Sequence, residues 1–549
     1  MNYSENINEN IHINQVGYRP GDKKVAIING KIGHFDIIEK KNEKQVFSGE
    51  AFGGKFDDAS GDTLYYCDFT SVKENGTYYV LIPGFGRSYY FSISNHVYKD
   101  VKNSMLKSLF YQRCGIELDE KHAGLWKHSA CHVQSAYIYE QAGKTMDGTG
   151  GWHDAGDYGK YTVSGAYAVA FLLYAYKLFP DAFRDEINIP ESGNGTPDIL
   201  NEARYELEWL LKMQDEFTGG VSHKLTSKLF PDELNEGGRV FLPEYDNYDS
   251  YLFPISSMAT ADFAAIMALS SDIYKPLDKE FSEKCLVAAE KAWVWLSNNK
   301  DIVKFYNPPD VNTGRFGDTN DKDERYWAAA ELYHVTGKRE YHEYFISSFN
   351  NDNIEPGFMW RDVGGFGYIS YLLNDIDKVS YTIYQEIKYK FLSMADSLES
   401  ESMNNGYFVS LPPDAYIWGS NSILMNAAFY LITAGIFTGE DRYIQASQYH
   451  LHNLLGKNAL NQCYVTGIGS KPVRNPHHRT SFADGIEEPV PGLVSGGPNK
   501  TLQDKNARLL LQGMPPARCF IDDASSFSTN ENSIYWNTQA VFVSGYFDR

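Results

Sequence analysis

The chain has 549 residues, which is enough for two or three domains with a large buried core. It carries 50 basic and 71 acidic side chains, a formal charge of −21, so nucleic acid and anionic lipid surfaces are poor partners for it. Aromatic residues make up 15% of the chain, which excludes a disordered or fibrous protein and weakly favours a ligand with flat apolar faces, such as a sugar.

The cysteines are few and widely spread, so we expect reduced thiols or metal ligands and not a disulfide framework. The N-terminus lacks a basic segment followed by an apolar one, and no apolar run of 18 or more residues follows. We therefore expect a soluble cytoplasmic protein, or a secreted one if a leader has been removed.

From about residue 11 to residue 94 the chain has the pattern of short strands separated by turns. The dipeptides Asn29-Gly30, Asn75-Gly76 and Pro83-Gly84 mark three of these turns. This spacing predicts a β-sandwich of immunoglobulin type, which we place at residues 1–95.

After residue 95 the apolar pattern becomes helical, and residues 96–549 are predicted to form an all-α domain of about a dozen helices. In the clearest case, Thr196 can cap a helix, Pro197 suits its first position, and an apolar stripe runs to Leu211. Similar stripes predict helices near 98–112, 160–178, 257–271, 282–298, 324–336, 380–399, 419–437, 440–455 and 533–546.

Long polar loops rich in glycine and proline separate these helices. Loops of this length in a compact domain are more often functional than idle. Chemistry is therefore expected in 143–158, 216–250, 305–323, 401–417 and 461–532.

The first constellation of interest is GGWHDAGDYGKY at 150–161, in which Asp154 and Asp157 are three positions apart among glycines. Two crowded carboxylates can raise each other's pKa or share a water molecule, as a general base requires. Alternatively, one of the two caps the helix that starts near Lys160. Spacing alone leaves both interpretations open.

The second constellation is centred on Glu531, at the start of an apolar helical run and near Phe527, Tyr535 and Trp536. Apolar surroundings favour the protonated form of a carboxyl group, as a proton donor requires. The alternative is a glutamate in the first turn of a helix, where the macrodipole favours the ionised form.

The third constellation, NPHHRTS at 475–481, places His477, His478 and Arg479 in one loop. These side chains can donate hydrogen bonds to the hydroxyl groups of a polar ligand. Metal binding by the two histidines and a simple solvated loop are the alternatives.

In this order, the three segments resemble the signatures of glycoside hydrolase family 9, the inverting β-1,4-glucanases. GGWHDAGDYGKY resembles the base-bearing loop, NPHHRTS the histidine signature, and NENSIYWN at 530–537 the acid signature. Further matches between them extend the resemblance over 97–549, and NQVGY at 14–18 resembles the opening of the immunoglobulin-like module that several members carry. The resemblance implies an (α/α)6 barrel after a β-sandwich.

It further implies that Asp157 is the base that activates water, Asp154 its partner on that water, and Glu531 the acid. An inverting mechanism places the two carboxyl groups about 6.5 to 9.5 Å apart. His477 and Arg479 would then bind sugar hydroxyl groups. The candidate stacking platforms, each with a core role as its alternative, are Trp360, Trp418 and Tyr535.

The same resemblance implies a zinc site at Cys114, Cys131, His132 and His153. Two thiolates and two imidazoles suit a closed structural site, which would brace the catalytic loop because His153 precedes Asp154. The alternative is two buried thiols with unrelated histidines.

Calcium is the second implied ion. The acidic stretch 318–324 does not fit an EF-hand loop, because it lacks the glycine and Lys322 occupies a ligand position. The family often binds calcium in this region, so the resemblance implies Asp323, Glu324 and Asp362 as ligands. A solvated acidic loop is the alternative.

The sequence thus predicts an inverting hydrolase of cellulose-type β-1,4-glucans or cello-oligosaccharides. The lack of a leader and of a binding module after Tyr546 favours short soluble substrates. One alternative is an exo-acting β-glucosaminidase or β-glucosidase. Another is a sugar-binding protein without activity, which the presence of all three acids argues against. We expect a monomer with no nucleic acid or membrane partner.

Overall fold

The computed structural model describes residues 6–230 and 240–549. The chain forms two compact units. One comprises the chain up to Ser108 together with 395–482 and 486–549, and the other comprises Leu109–Met394 with Ala483–Gly485. The predicted domain boundary after residue 95 stays a prediction.

Two antiparallel sheets form the N-terminal part of the first unit. Their strand orders are β1-β3-β7-β6 and β2-β10-β8-β4-β5, with β9 paired to β8 and with β2 parallel to β10. Their apolar faces share one buried cluster that includes Ile28, Ile37, Val80 and Phe91, so each sheet is amphipathic as its alternating sequence predicted. The strands are β1 (Ile11–His12), β2 (Gly17–Tyr18), β3 (Val25–Asn29), β4 (His34–Glu39), β5 (Lys44–Glu50), β6 (Phe52–Asp57), β7 (Asp62–Asp68), β8 (Gly76–Ile82), β9 (Gly86–Arg87) and β10 (Phe91–Ile93).

The remainder of the chain is mainly helical, as predicted, and each predicted stripe coincides with a helix to within a few residues. Two helices were not among the predicted stripes, Arg339–Asn351 and Gly364–Leu372; the second is buried all round, so it has no stripe. The other main helices are Lys99–Tyr111, Thr162–Leu178, Asp198–Met213, Ser257–Tyr274, Lys279–Asn298, Lys322–Thr336, Tyr381–Asn404, Ser420–Thr438, Asp441–Leu454 and Ile534–Phe547.

The start of the helix Asp198–Met213 differs from its prediction. Pro197 occupies the N-cap position and no side chain caps the helix, so the predicted cap by Thr196 is wrong. The Asp198 carboxylate instead accepts hydrogen bonds from Ile187 N and Ser192 Oγ, at 2.8 and 2.6 Å. The preceding loop is therefore attached to this helix.

The helix Ser420–Thr438 is long and apolar enough to cross a membrane by composition, but 78% of its most apolar stretch is buried inside the protein. It packs on Ile534–Phe547, where Phe429 and Phe542 have ring centroids 4.5 Å apart and Gln539 donates a hydrogen bond to Asn426. It is a core helix.

A small sheet interrupts the helical part, which the all-α prediction did not include. Its strand order is β12-β11-β15-β14-β13. These strands have two or three residues each, which is too short to produce a visible alternation. They are β11 (Ala136–Ile138), β12 (Thr145–Met146), β13 (Lys160–Tyr161), β14 (Lys224–Thr226) and β15 (Tyr251–Leu252).

Within the first unit, the N-terminal sheets contact the loop that leads to the histidine signature. Gln15 is 5% exposed; its Oε1 accepts from the backbone N–H groups of Ser470 and Lys471 at 2.9 and 2.8 Å, and its Nε2 donates to Asn461 O. The NQVGY segment is therefore part of the support of this loop.

Candidate active site

The segment 148–161 is held by internal hydrogen bonds and by close packing. Lys160 Nζ donates to the carbonyl groups of Gly148 and Gly150, at 2.5 and 2.8 Å. Gly151 has φ = +73°, and a Cβ atom there would lie 2.7 Å from Trp209, so only glycine fits. The loop is thus packed tightly around the two aspartates.

Asp154 and Asp157 are both buried, at 4% and 7% exposure. The Asp154 carboxylate accepts a hydrogen bond from Ser164 Oγ, and Asp157 Oδ2 accepts one from Gly159 N at 3.0 Å. The next helix begins at Thr162 without a side-chain cap, so the alternative of a capping aspartate is wrong.

The two carboxyl groups differ in their environment. Burial raises the pKa of Asp154 to about 8; the bond from Ser164 opposes this change, and the charge of Asp157 adds to it. In its protonated form Asp154 can donate a hydrogen bond, and a carboxylate close by can accept a proton from the same water molecule. Such a pair can hold and activate one water molecule.

A buried ionic network, which the sequence did not reveal, fixes the same loop. Arg113 is fully buried, pairs with Glu191 through two hydrogen bonds of 3.0 Å, and donates to Glu202 at 3.2 Å. Trp152 donates its indole N–H to Glu202 and its backbone N–H to Glu206, at 3.3 and 2.7 Å. These partners are far apart in sequence, so no local pattern could indicate them.

The predicted zinc ligands Cys114, Cys131, His132 and His153 lie together. One ligand atom from each falls within 4.8 Å of the others, so the four side chains are close enough to hold one ion. Among the described residues, no second group of three or more His, Cys, Asp or Glu side chains meets the same distance criterion. All six cysteines are free and buried, as expected.

The donor set fits a tetrahedral metal ion. His132 Nδ1 has no hydrogen-bond partner among the described residues, while its Nε2 lies 3.2 Å from Asp246 Oδ2. Hydrogen bonding from Cys131 holds the pKa of the Cys114 thiol well below its usual range. A carboxylate behind a ligating histidine and an available thiolate are typical of zinc sites. Asp246, over a hundred positions away, was not predicted.

The predicted calcium ligands lie around the start of the helix Lys322–Thr336. Asp323 and Glu324 are buried and hence not part of a solvated loop; Asp323 accepts from Val363 N at 2.9 Å, beside the half-buried Asp362. Asp262, on the helix Ser257–Tyr274, joins this group unexpectedly. None of the carboxylate oxygens of Asp262 and Glu324 has a hydrogen-bond partner among the described residues.

This crowding is electrostatically unfavourable without a cation. Burial, with the charge of Asp323, raises the pKa of both Asp262 and Glu324 well above the usual range. An acidic residue inside an otherwise apolar helix was the sequence signal for Asp262.

Glu531 is half-buried and lies in extended backbone between the short helix Phe527–Asn530 and the helix Ile534–Phe547. The alternative of a glutamate in a first helical turn is therefore wrong. Its backbone forms a bridge with His477, whose N–H donates to Asn530 O at 2.9 Å. The acid and histidine signatures are thus adjacent.

The three side chains of the histidine signature have different exposures. His477 is half-buried, and its Nδ1 donates to Ala524 O at 2.6 Å, so Nε2 is an acceptor in the neutral ring. His478 and Arg479 are buried, at 3% and 6% exposure. In the described part of the chain no third metal-binding side chain accompanies the two histidines.

None of the three predicted aromatic platforms is fully buried. Trp418 is 40% exposed and lies 5.2 Å from Phe527, whose ring is 6.0 Å from that of His477. Trp360 packs edge-on against Phe316 at 5.1 Å, and Tyr535 packs against Trp536. Phe527 extends the predicted set.

Asp154 and Asp157 belong to one compact unit and Glu531 to the other. The separation of the acid and the base stays a prediction, and so do the roles of all these residues.

Comparison with known proteins gives two family matches. Residues 98–544 match the model of glycosyl hydrolase family 9, and residues 6–87 match that of the cellulase N-terminal immunoglobulin-like domain. The chain belongs to glycosyl hydrolase family 9. It is a glycoside hydrolase of β-1,4-glucans, and its N-terminal sheets form an immunoglobulin-like domain, as the sequence predicted.

Among its relatives, this family 9 hydrolase is 36% identical to a cellodextrinase of Butyrivibrio fibrisolvens, over 97% of this chain and 98% of that one. A thermostable endoglucanase from Alicyclobacillus acidocaldarius has a similar structure, with a TM-score of 0.92, 36% identity and coverage of 99% and 100% of the two chains. So does a zinc-binding triple mutant of the family 9 endoglucanase J30, with a TM-score of 0.91, 31% identity and coverage of 97% and 99%.

Proposed function

We propose that this family 9 hydrolase cleaves soluble cello-oligosaccharides with inversion of the anomeric carbon. The observation that carries the proposal is the buried pair of Asp154 and Asp157, in which burial favours the protonated form of Asp154. The similarity to a cellodextrinase along nearly the whole of both chains favours oligosaccharides over insoluble cellulose.

In the proposed reaction, Asp157 takes a proton from a water molecule that Asp154 orients by a hydrogen bond. The water oxygen attacks the anomeric carbon while Glu531 protonates the leaving glycosidic oxygen. The new C–O bond forms on the face of the sugar ring opposite the glycosidic bond that breaks, so a β-linkage yields an α-hemiacetal. The reaction leaves Asp157 protonated and Glu531 ionised, and bulk water restores both.

The surroundings of Glu531 would bind the sugar units next to the cleaved bond. The acceptor Nε2 of His477 suits a sugar hydroxyl group, and the neighbouring rings of Trp418 and Phe527 suit the apolar face of a pyranose. Because Arg479 is largely buried, we assign it a weaker contact with the substrate than His477 makes.

We propose that the helical part is an (α/α)6 barrel. In the second unit, Thr162–Leu178 packs on Ser257–Tyr274, which packs on Lys322–Thr336 and in turn on Gly364–Leu372, so alternate helices are neighbours. The first two are buried almost all round, as inner helices of a double ring must be.

The test of inversion is the anomeric form of the first product. We expect proton NMR of cellopentaose hydrolysis to show α-hemiacetal signals before mutarotation, with shorter cello-oligosaccharides as products. Chito-oligosaccharides serve as the comparison for the glucosaminidase alternative. Initial β-product would contradict inversion, and no shortening of cellopentaose would contradict the substrate class.

We propose zinc at Cys114, Cys131, His132 and His153, where it would lock the segment that carries Asp154. Purified protein is expected to contain about one zinc per chain, and Cys131→Ser to lose it and to melt at a lower temperature, because structural zinc contributes folding free energy. Elemental analysis and calorimetry measure both. Cys285→Ser, at a buried cysteine outside the cluster, is the control; zinc retained in Cys131→Ser would refute the site.

We propose calcium at Asp323, Glu324 and Asp362, with Asp262 beside them, although their carboxylate oxygens do not come as close together in this structure as the four zinc ligands do. Calcium is expected to raise the melting temperature of the wild type, since it relieves the repulsion between buried carboxylates. Glu324→Gln should abolish that increase. Equal increases in both proteins, or none in the wild type, would rule the site out.

A further inference from the structure

The dipeptide His223-Lys224, where β14 begins, is fully buried but lies outside every site considered above. A lysine and a histidine inside a protein require hydrogen-bond partners, because their desolvation is costly. Among the described residues, the hydrogen-bond acceptors of the Lys224 side chain all lie in the segment 307–314, while its ammonium group also lies over the rings of Phe253 and Phe305.

Lys224 Nζ donates to Asn307 Oδ1 and Thr313 Oγ1, both at 2.9 Å, and to Gly314 O at 2.8 Å. All three acceptors are neutral, and in the described part of the chain no carboxylate forms an ion pair with this ammonium group. Burial lowers the pKa of Lys224 to about 7, and the negative charge of Asp157 opposes this change. The charge of Lys224 therefore interacts with that of Asp157, and its hydrogen bonds attach it to the segment 307–314.

His223 holds the next residue of the same segment. One ring nitrogen, Nε2, lies 2.7 Å from Arg315 O, and the other, Nδ1, lies 2.7 Å from Ser256 Oγ. Because a carbonyl oxygen only accepts, the proton is on Nε2 and Ser256 donates to Nδ1. Burial lowers the pKa of His223 to about 3, so the ring stays neutral, stacked at 4.2 Å on Phe305.

The segment so held has a strained backbone. Phe316 has φ = +44°, in the left-handed region that an aromatic residue rarely adopts. Its ring lies 4.8 Å from Tyr161 and 5.1 Å from Trp360. Gly314 N donates to Tyr161 Oη at 3.0 Å, and Tyr161 pairs with Lys224 between β13 and β14.

We propose that Lys224 and His223 are positioning residues that hold residues 313–316 against Tyr161, so that Phe316 and Trp360 form a fixed aromatic wall for the substrate. Because Tyr161 ends the short segment that begins at Asp157, the wall and the base share one support. The positioning of residues 313–316 is inferred from the contacts described above, whereas the binding of substrate by the aromatic wall rests on the proposed function.

The test is Lys224→Met, which preserves most of the side-chain volume but removes the hydrogen bonds to Asn307, Thr313 and Gly314. Hydrogen–deuterium exchange should become faster in peptides covering 307–316 and stay unchanged in the helix Ser257–Tyr274. The KM for cellopentaose should rise about tenfold or more, with a smaller change for cellobiosides and in kcat, because a displaced platform weakens binding of the added sugar units. Lys338→Met is the matched control: this lysine is half-exposed and pairs with Glu290, and neither residue lies in 307–316.

Thr313→Val is the second variant in case Lys224→Met does not fold. It removes one acceptor of Lys224 and should give the same exchange pattern with a smaller rise in KM. Unchanged exchange at 307–316 in both variants would overturn the positioning role. Faster exchange with an unchanged KM would overturn the aromatic wall. A wild type that leaves cellopentaose intact would instead refute the proposed function, and the exchange result would still decide whether Lys224 and His223 position residues 313–316.

Discussion

Glu531→Gln is expected to lower kcat for cello-oligosaccharides by about 10² to 10⁴-fold, because an amide cannot protonate the leaving oxygen. KM should change little, since the amide has the same shape. The loss should be much smaller with 2,4-dinitrophenyl β-cellobioside, whose leaving group departs without a proton. Steady-state kinetics on both substrates measures the difference.

Glu487→Gln is the matched control, since this glutamate is 84% exposed and lies in the loop that follows the histidine signature. It should behave like the wild type on both substrates. If Glu531→Gln loses kcat equally on the two substrates, Glu531 does not act as the acid. If its turnover of cellopentaose is unchanged, Glu531 has no role in the reaction.

Asp157→Asn is expected to lower kcat by a similar factor of about 10² to 10⁴, but on both substrates, because water activation is needed whatever the leaving group. Sodium azide should restore part of the activity. The azide anion needs no base: its nitrogen forms a bond to the anomeric carbon as the glycosidic C–O bond breaks, and Glu531 protonates the leaving oxygen. The product is an α-glycosyl azide, detectable by mass spectrometry and NMR.

Asp147→Asn provides the comparison for this variant. Asp147 lies before the same loop but is 64% exposed and pairs with Lys212, so its loss should not affect turnover. If azide does not change the activity of Asp157→Asn, and if this variant loses activity only on the substrate with the poor leaving group, Asp157 is the acid and not the base.

The two variants together test whether the acid and the base have separate roles. If Glu531 is the acid and Asp157 the base, the loss of kcat in Glu531→Gln depends on the leaving group and the loss in Asp157→Asn does not. Azide then restores activity to Asp157→Asn alone. Two variants with the same dependence would mean that the carboxyl groups do not have separate roles.

The helices and the N-terminal strands could be predicted from sequence because both depend on a local repeat of apolar residues. The stripe of 198–213 and the alternation of the first 94 residues each recur within a few positions. The sheet β11–β15 could not be predicted, because strands of two or three residues are held by partners such as Tyr137 and Tyr251, far apart in the chain. The cap at Thr196 failed because the helix begins one residue later than predicted, so that Pro197 occupies the N-cap position.

By itself the sequence determined the family, the candidate acids and the four Cys and His residues of the metal cluster, since these reside in short motifs whose residue types carry the chemistry. The tertiary structure decided which residues support them. Arg113 with Glu202, Asp246 behind His132, Asp262 beside Glu324 and Lys224 beneath Gly314 are contacts between distant segments. A buried charge requires partners but leaves open where along the chain they come from, and only the folded chain identifies them.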